Sequence, residues 1–402
     1  MNAKPLSGLR IVAVESYGAG PWGSGYLADL GAELIKIENP DGGDMARSVG
    51  PHYLGDGDSH FFQTFNRNKR SLALNIKSDG GREVLHRLAA SADAVMNNLR
   101  GDQPARLGLD YAALGPIKAD IVCAHLSAYG RQGSRAEWPG YDYLMQAEAG
   151  FMSVTGEPDA PPARFGLSVV DYITGVTCAL GLLAAVIGAR NSGKGCDVDA
   201  SLFDVALHQL SYPAAWYLNE GTVTGRIPRS AHPSLAPSQL YRTADGWIVV
   251  MCQREKFWQR LAELLGVAEL LDDPDYASHD LRCRHRDRLT DDLDAAFSAR
   301  STAEWLEVLR GEVPVAPVHD IAQALDGEFC REQAMVQPLN HPDRPDLSIV
   351  ANPLRIDGER LPATAGPTLG ADTGVLLTEL GFSAADIAAL QEAGAIAMPA
   401  SD

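Results

Sequence analysis

Apolar positions in the first part of the chain come in short runs: LRIVAV (Leu9–Val14), AELIKIE (Ala32–Glu38), SLALNI (Ser71–Ile76), DAVMNN (Asp93–Asn98) and DIVCAHLSAY (Asp120–Tyr129). Helix-like stretches lie between them, one running to about Leu30 and another near GGREVLHRLAASA. Strand and helix alternating across short Gly, Asp or Pro connections predict an α/β fold with a doubly wound, Rossmann-like parallel sheet. Ligands of such a sheet bind at the C-terminal ends of its strands.

From Asp171 to about Ala214 the pattern turns helical, with NSGKGCDVDAS read as a Gly-rich connector. The longest apolar run, TGVTCALGLLAAVIGA (Thr174–Ala189), falls short of the ~20 residues a membrane span needs, and its Ala and Gly content predicts a buried, closely packed helix. GTVTGRIPRSAHPSLAP (Gly221–Pro237) reads as an exposed linker or active-site loop. QLYRTADGWIVVMC predicts a hairpin turning at Asp245 and Gly246. Helices follow near FWQRLAELLG, RDRLTDDLDAAFS and TAEWLEVLRG, the last opened by a Ser301/Glu304 capping box. The reading gives a large domain over residues 1–224, a smaller α+β domain over 225–330, and a segment 331–402 whose two helical stretches dock back onto the large domain.

Composition narrows the partners. At 402 residues, 46% hydrophobic and 21% charged, the chain is an ordinary globular one with room for two domains. Its 52 acids against 34 Lys plus Arg, a formal charge of -18, oppose a nucleic-acid backbone. A local cluster of cations still outweighs that background within about 8 Å, so a phosphate-bearing small ligand is compatible. Six scattered cysteines without CxxC or Cys/His metal spacing predict reduced thiols and no metal site, and MNAKPLSGLR lacks the apolar core of a signal peptide. A cytoplasmic protein with no membrane partner is the expectation.

Three features carry chemistry. Gly18, Gly20 and Gly23 form a GxGxxG pattern after the first apolar run, with Pro21 in the first helical turn and Glu38 closing the next run. This matches a dinucleotide site, in which the helix N-terminus receives phosphate, but any tight strand-to-helix turn also uses glycine. Basic or amide residues follow the apolar runs at Asn66–Arg70, Lys77, Asn98–Arg100 and Arg106. They are either converging ligands for a polyanion or solvated surface. Asp171 stands where RFGLSVV gives way to the apolar helix, either as a carboxylate held ionised by the helix dipole and able to attack an activated acyl group, or as a helix cap. No HxxxH, HExxH, GxSxG or GxxxxGK[ST] pattern competes, and His232 lies in the Pro-rich loop.

In chain order, PLSGLRIVAV, GPWGSGYLADLGAELIKIE, FNRNKRSLALNIKS, PGYDYLMQAEAGFMSVTG, SVVDYITG, GKGCDVDASLFD, YRTADGW, VPVAPV and PTLGADTGVLLTELG resemble the class III CoA-transferase family. That family includes formyl-CoA transferase, carnitine CoA-transferase and an α-methylacyl-CoA racemase branch. The resemblance spans the chain and implies a coenzyme A thioester as substrate, with no nicotinamide and no permanent cofactor. It implies a CoA groove lined by Gly18, Ala19, Asn39, Leu74, Asn75, Ile76, Lys77, Asn98, Leu99, Arg100, Arg106 and Tyr129. Asp171 takes the place of the family nucleophile. The implied reaction moves CoA from an acyl-CoA to a carboxylic acid through an aspartyl anhydride and an aspartyl-CoA thioester, in an interlocked homodimer.

Three positions depart from family patterns. Asn39 stands where related enzymes can carry a basic residue, which weakens a phosphate contact there. The racemase branch carries a histidine in the segment that here reads PGYDYL, where this chain has Tyr141, a poor two-way proton carrier near neutral pH. The formyl-CoA transferase branch has a glycine run where this chain has HPSLAP, which disfavours oxalate as acceptor. A racemase or epimerase, and a catalytically silent CoA-binding protein, are the alternative readings.

Overall fold

The structure, a computed structural model, describes residues 4–399. It divides into two compact units, one formed by the chain up to Ala149, Leu167–Gln209 and Glu328 onward, the other by Gly150–Gly166 and Leu210–Gly327. The division therefore falls between Gln209 and Leu210 rather than between 224 and 225. Residues 150–166, read above as part of the large domain, make their contacts with the second unit.

The first unit opens β1 (Arg10–Val14), α1 (Ala19–Asp29), β2 (Glu33–Glu38), α2 (His60–Asn66), β3 (Arg70–Ala73), α3 (Asp79–Ser91) and β4 (Ala94–Asn97). Then come α4 (Gln103–Arg106), α5 (Tyr111–Leu114), β5 (Val122–Ser127) and α6 (Asp142–Glu148), and, after α7 (Phe151–Val154) of the other unit, α8 (Val169–Ser192), β6 (Cys196–Ser201) and α9 (Leu202–Gln209). The six strands form one sheet in the order β3-β2-β1-β4-β5-β6, every neighbouring pair parallel. The apolar runs of β1, β2, β4 and β5 are buried almost throughout, because helices cover both faces of the sheet. Val12, Ile35, Leu72 and Val95 point to a core shared with Val84, Leu85 and Leu88 of α3. Leu376, Leu377 and Leu390 from the C-terminal helices join that core, so the tail docks onto the sheet as the sequence suggested.

β6 corrects the reading of CDVDAS as a connector. It pairs with β5 over its whole length at the sheet's edge, where half of its residues are exposed; its apolar and polar residues do alternate (Cys196, Val198, Ala200 against Asp197, Asp199, Ser201), but two acids and a Gly-rich lead-in masked the strand. Its Asp197 and Asp199 hold Arg131, and Asp197 also pairs with the buried His125 of β5.

The apolar run lies within α8, which at 24 residues is longer than the run itself and is long and apolar enough to cross a membrane by length and composition. One face packs against α1, β5 and β6. The opposite face is open rather than buried, with Leu180 at 68% and Ile187 at 63% exposure.

In the second unit the hairpin turns at Asp245 and Gly246 as read, and 315–317 adds a third antiparallel strand. Trp258, Tyr276, Leu293, Phe297 and Trp305 fill its core, and the Ser301/Glu304 capping box is present.

Candidate active site

Two segments of the first unit converge on Asp171. The chain leaves β1 through Glu15, Ser16 and Tyr17 and enters α1 at Gly18. The neighbouring strand β4 ends at Asn97 and is followed by Asn98–Arg100. β1 and β4 flank the point where strand order reverses, the place in a doubly wound sheet where a crevice opens for ligands. A cavity of about 270 Å³ lies there, lined by Ser16–Ala19, Met45, Asn98–Arg100, Leu126–Ala128, Trp138–Tyr141, Asp171 and Leu202. A larger hollow of about 460 Å³ sits at the opposite, N-terminal edge of the strands. Its one cation, Arg10, is committed to Glu33 and Ser91, and parallel sheets do not present ligands on that edge.

Asp171 is the third residue of α8, after the Ser168 cap, and does not itself cap the helix. That task falls to Asp142 of α6, whose Oδ2 accepts the backbone N–H groups of Val170 (2.7 Å) and Asp171 (3.0 Å). With those donors taken, the helix end gives Asp171 little help, contrary to the expectation that its dipole keeps the carboxylate ionised. No hydrogen bond reaches the Asp171 carboxyl oxygens from the described residues. Burial, reinforced by the neighbouring Asp142 carboxylate, pushes the Asp171 carboxyl up to about 7. It is therefore a 91%-buried, weakly stabilised carboxylate at neutral pH, a state suited to nucleophilic attack.

The glycine pattern is built around this group. A Cβ on Gly18 would stand 3.4 Å from Asp171 Oδ2, so the bare turn lets the carboxyl reach the cavity. At Gly20 a Cβ would come within 2.9 Å of the Asn98 side chain, which in turn clips the turn: Asn98 Nδ2 donates to Ser16 O (2.7 Å) and Oδ1 accepts Ser16 N (2.9 Å). Gly23 lies against Gly175, where α1 and α8 cross backbone to backbone.

Of the residues read from the sequence, Gly18, Ala19, Asn98, Leu99, Arg100 and Asp171 line the cavity together. Asn39, Leu74, Asn75, Ile76, Lys77, Arg106 and Tyr129 do not. Asn39 is exposed just beyond β2, and Leu74–Lys77 follow β3 on the same sheet edge. Leu74 and Asn75 spend their N–H groups on Glu38 and Ala395, Ile76 packs on the core, and Lys77 is exposed. Arg100 and Arg106 share Asp102 (2.5 and 3.0 Å). Tyr129 donates to Glu148 and backs Trp138, a cavity wall.

The basic cluster of Asn66–Arg70 is not a set of polyanion ligands. Arg67 forks onto Asp29, Lys69 is buried on Glu15 (2.8 Å), and Arg70 is held by Glu33, Asp372 and Glu379. These residues lie at the start of β3, away from the ligand edge. Glu38 is likewise structural: burial works against its charge, yet Arg47 and Lys36 hold it below the usual carboxylate range. Sequence reading passed over Asp44, Asp142 and Tyr17, whose roles arise from partners distant in the chain and leave no local spacing. His232, in the second unit, stacks on Tyr212 beside a separate cavity of about 300 Å³.

Residues 6–373 match the model of CoA-transferase family III. The succinate–glutarate CoA-transferase of Agrobacterium fabrum is 33% identical over 325 residues, 79% of this chain and 81% of that protein. The acetyl-CoA:oxalate CoA-transferase of Acetobacter aceti is 35% identical over 322 residues, 80% and 82% of the two chains. The crystal structure of a CAIB/BAIF family protein from Brucella suis superposes with a TM-score of 0.82 at 30% identity, covering 94% of this chain and all of that one. The same parallel six-stranded sheet and a match along most of its length make this chain a member of CoA-transferase family III.

Proposed function

We propose that the protein transfers CoA from an acyl-CoA to a carboxylic acid through Asp171, with succinyl-CoA the first donor to test. The observation that carries this reading is the buried Asp171 carboxyl, without a hydrogen bond from the described residues, facing the glycine turn in the switch-point cavity. A carboxylate oxygen of Asp171 attacks the thioester carbon, forming a C–O bond and releasing CoA as thiolate. The thiolate attacks Asp171 Cγ, giving an aspartyl-CoA thioester and freeing the donor acid. The acceptor carboxylate then attacks Cγ and expels the thiolate, which attacks the acceptor's carbonyl carbon, leaving a new acyl-CoA and a free Asp171. CoA is proposed to run along the ligand edge of the sheet past Asn39, Leu74–Lys77, Asn98–Arg100, Arg106 and Tyr129. The open face of α8 is proposed as part of the contact in an interlocked homodimer, in the cytoplasm.

Mass-spectrometric screening of succinyl-CoA and acetyl-CoA against a panel of free acids, glutarate and oxalate included because relatives act on them, tests the activity. A new acyl-CoA that requires the acid is the expected result. CoA binding without exchange across the panel would favour a silent binder, and deuterium entering the acyl α-carbon without any acid would favour racemisation.

Because the ionised form of Asp171 attacks, kcat/KM for the donor should rise with pH through about 7. Asp142→Asn keeps an oxygen to cap α8 but removes the neighbouring charge. Its acidic limb should move to lower pH, raising relative activity near pH 6 severalfold, while a weaker cap costs about 1 kcal/mol of stability. An unmoved pH profile would remove Asp142 from the account of Asp171.

A further inference from the structure

Tyr17, an aromatic residue in the cavity wall, has a φ of 72°, a left-handed conformation that a bulky side chain adopts only where its surroundings enforce it. Two clamps act on this turn. Asn98 fixes both backbone groups of Ser16, as described. The other clamp is Asp44, in the loop after β2 and 3% exposed. Its Oδ1 accepts the Ser16 hydroxyl (2.7 Å) and the N–H groups of Tyr17 (2.9 Å) and Ala46 (2.9 Å). Its Oδ2 lies 2.8 Å from the ammonium of Lys36, which is fully buried and also donates to Glu15 O (2.9 Å). Asp44's own N–H donates to Glu38 Oε2 (3.0 Å). Burial works against its charge, but Lys36 and these donors hold the carboxyl down at about 2. Asp44 is not part of the cavity wall; Ser16, Tyr17 and Met45 are.

We propose that Asp44 is a positioning residue for Asp171: by gripping the Tyr17 N–H and the Ser16 hydroxyl it keeps Tyr17 left-handed and thereby sets Gly18 against the attacking carboxyl. The assignment rests on the transferase reading. Relaxation of Tyr17 to negative φ would redirect the chain at Gly18, where an added Cβ would stand 3.4 Å from Asp171 Oδ2, and displacements on the order of 1 Å cost about a hundredfold in rate at a reacting centre. A buried carboxylate is retained here because one of its oxygens accepts three donors, and the paired Lys36 makes its charge tolerable.

The test is a double-mutant cycle on the full chain: wild type, Asp44→Ala, Tyr17→Gly and the double variant. Each is mixed with succinyl-CoA and, separately, acetyl-CoA in hydroxylamine, following the rate of hydroxamate formation at Asp171 together with melting temperature and KM. Asp44→Ala should slow adduct formation about 10- to 100-fold with KM changed less than about threefold. In the Tyr17→Gly background the same change should cost less than about threefold, because glycine takes positive φ without a clamp. Equal losses in the two backgrounds would overturn the proposal, since Asp44 would then act through something other than the Tyr17 conformation. Should Asp44→Ala not fold, Asp44→Asn, which keeps an acceptor oxygen, replaces it in the same cycle with a loss of about tenfold expected in the Tyr17 background only. Absence of any adduct in the wild type with both donors would instead overturn the transferase reading, and this assignment with it.

Discussion

Asp171→Asn should abolish CoA exchange, by about 10⁴-fold or more, and at the same time yield a more stable protein above neutral pH. The first effect follows from the nucleophile: an amide does not attack a thioester, and loss of the group that forms a covalent intermediate removes most of the rate. The second follows from the environment. Burial and Asp142 raise the Asp171 carboxyl from 3.8 to about 7, so the folded chain binds its proton more tightly than the unfolded chain does. Folded-state stability therefore falls as pH climbs from about 4 through about 7, and the asparagine variant escapes that loss. The rise corresponds to about 4 kcal/mol, which sets the scale of the gain at pH 8. At pH 4 and below the gap should close. Thermal melts at pH 4 and pH 8 check this, and equal melting of the two proteins at pH 8 would mean that Asp171 is not held in an unfavourable charged state.

Gly175→Ala should be as damaging to the fold as Asp171→Asn is to the chemistry. A Cβ at Gly175 would lie 2.3 Å from Ala19 O and 2.9 Å from Gly23 N, and one at Gly23 would lie 2.1 Å from Gly175 O. These neighbours are backbone atoms of two long helices, so the methyl has no flexible side chain to displace and α1 must separate from α8. Overpacking of this kind costs about 3 kcal/mol or more. Since α1 begins at Ala19 and Asp171 lies one turn before Gly175, the same separation should also lower kcat. Gly25→Ala on α1 is the control. Its Cβ would meet only Phe65 O at 3.5 Å, an ordinary contact, and stability should stay within about 1 kcal/mol of the wild type. Denaturant titration of the three proteins separates these outcomes, and a Gly175→Ala variant as stable as Gly25→Ala would contradict the close crossing.

The strands that were legible are those buried on both faces: Ile11–Val14, Leu34–Ile37 apart from Lys36, and Val122–Leu126 apart from His125 are apolar because helices cover each side. β6 escaped because an edge strand paired through its backbone tolerates acids at alternate positions. The GxGxxG pattern was legible as a tight turn but not as a choice of ligand. Gly18, Gly20 and Gly23 make room for Asp171, Asn98 and Gly175, three neighbours from later in the chain that no local spacing announces. The basic run at Asn66–Arg70 misled for the converse reason, since its charges are consumed by Asp29, Glu15 and Glu33, each more than thirty residues earlier. Asp171 itself carried two readings, cap and nucleophile, with the cap favoured by position alone, until family resemblance favoured the nucleophile and the position of Asp142 removed the cap.

The most direct measurement is peptide mapping by mass spectrometry after the protein is mixed with acyl-CoA donor and hydroxylamine. The account predicts a hydroxamate on Asp171, formed only when donor is present and absent from Asp171→Asn. Exchange activity with no modification at Asp171, or with the adduct on another residue, would contradict it.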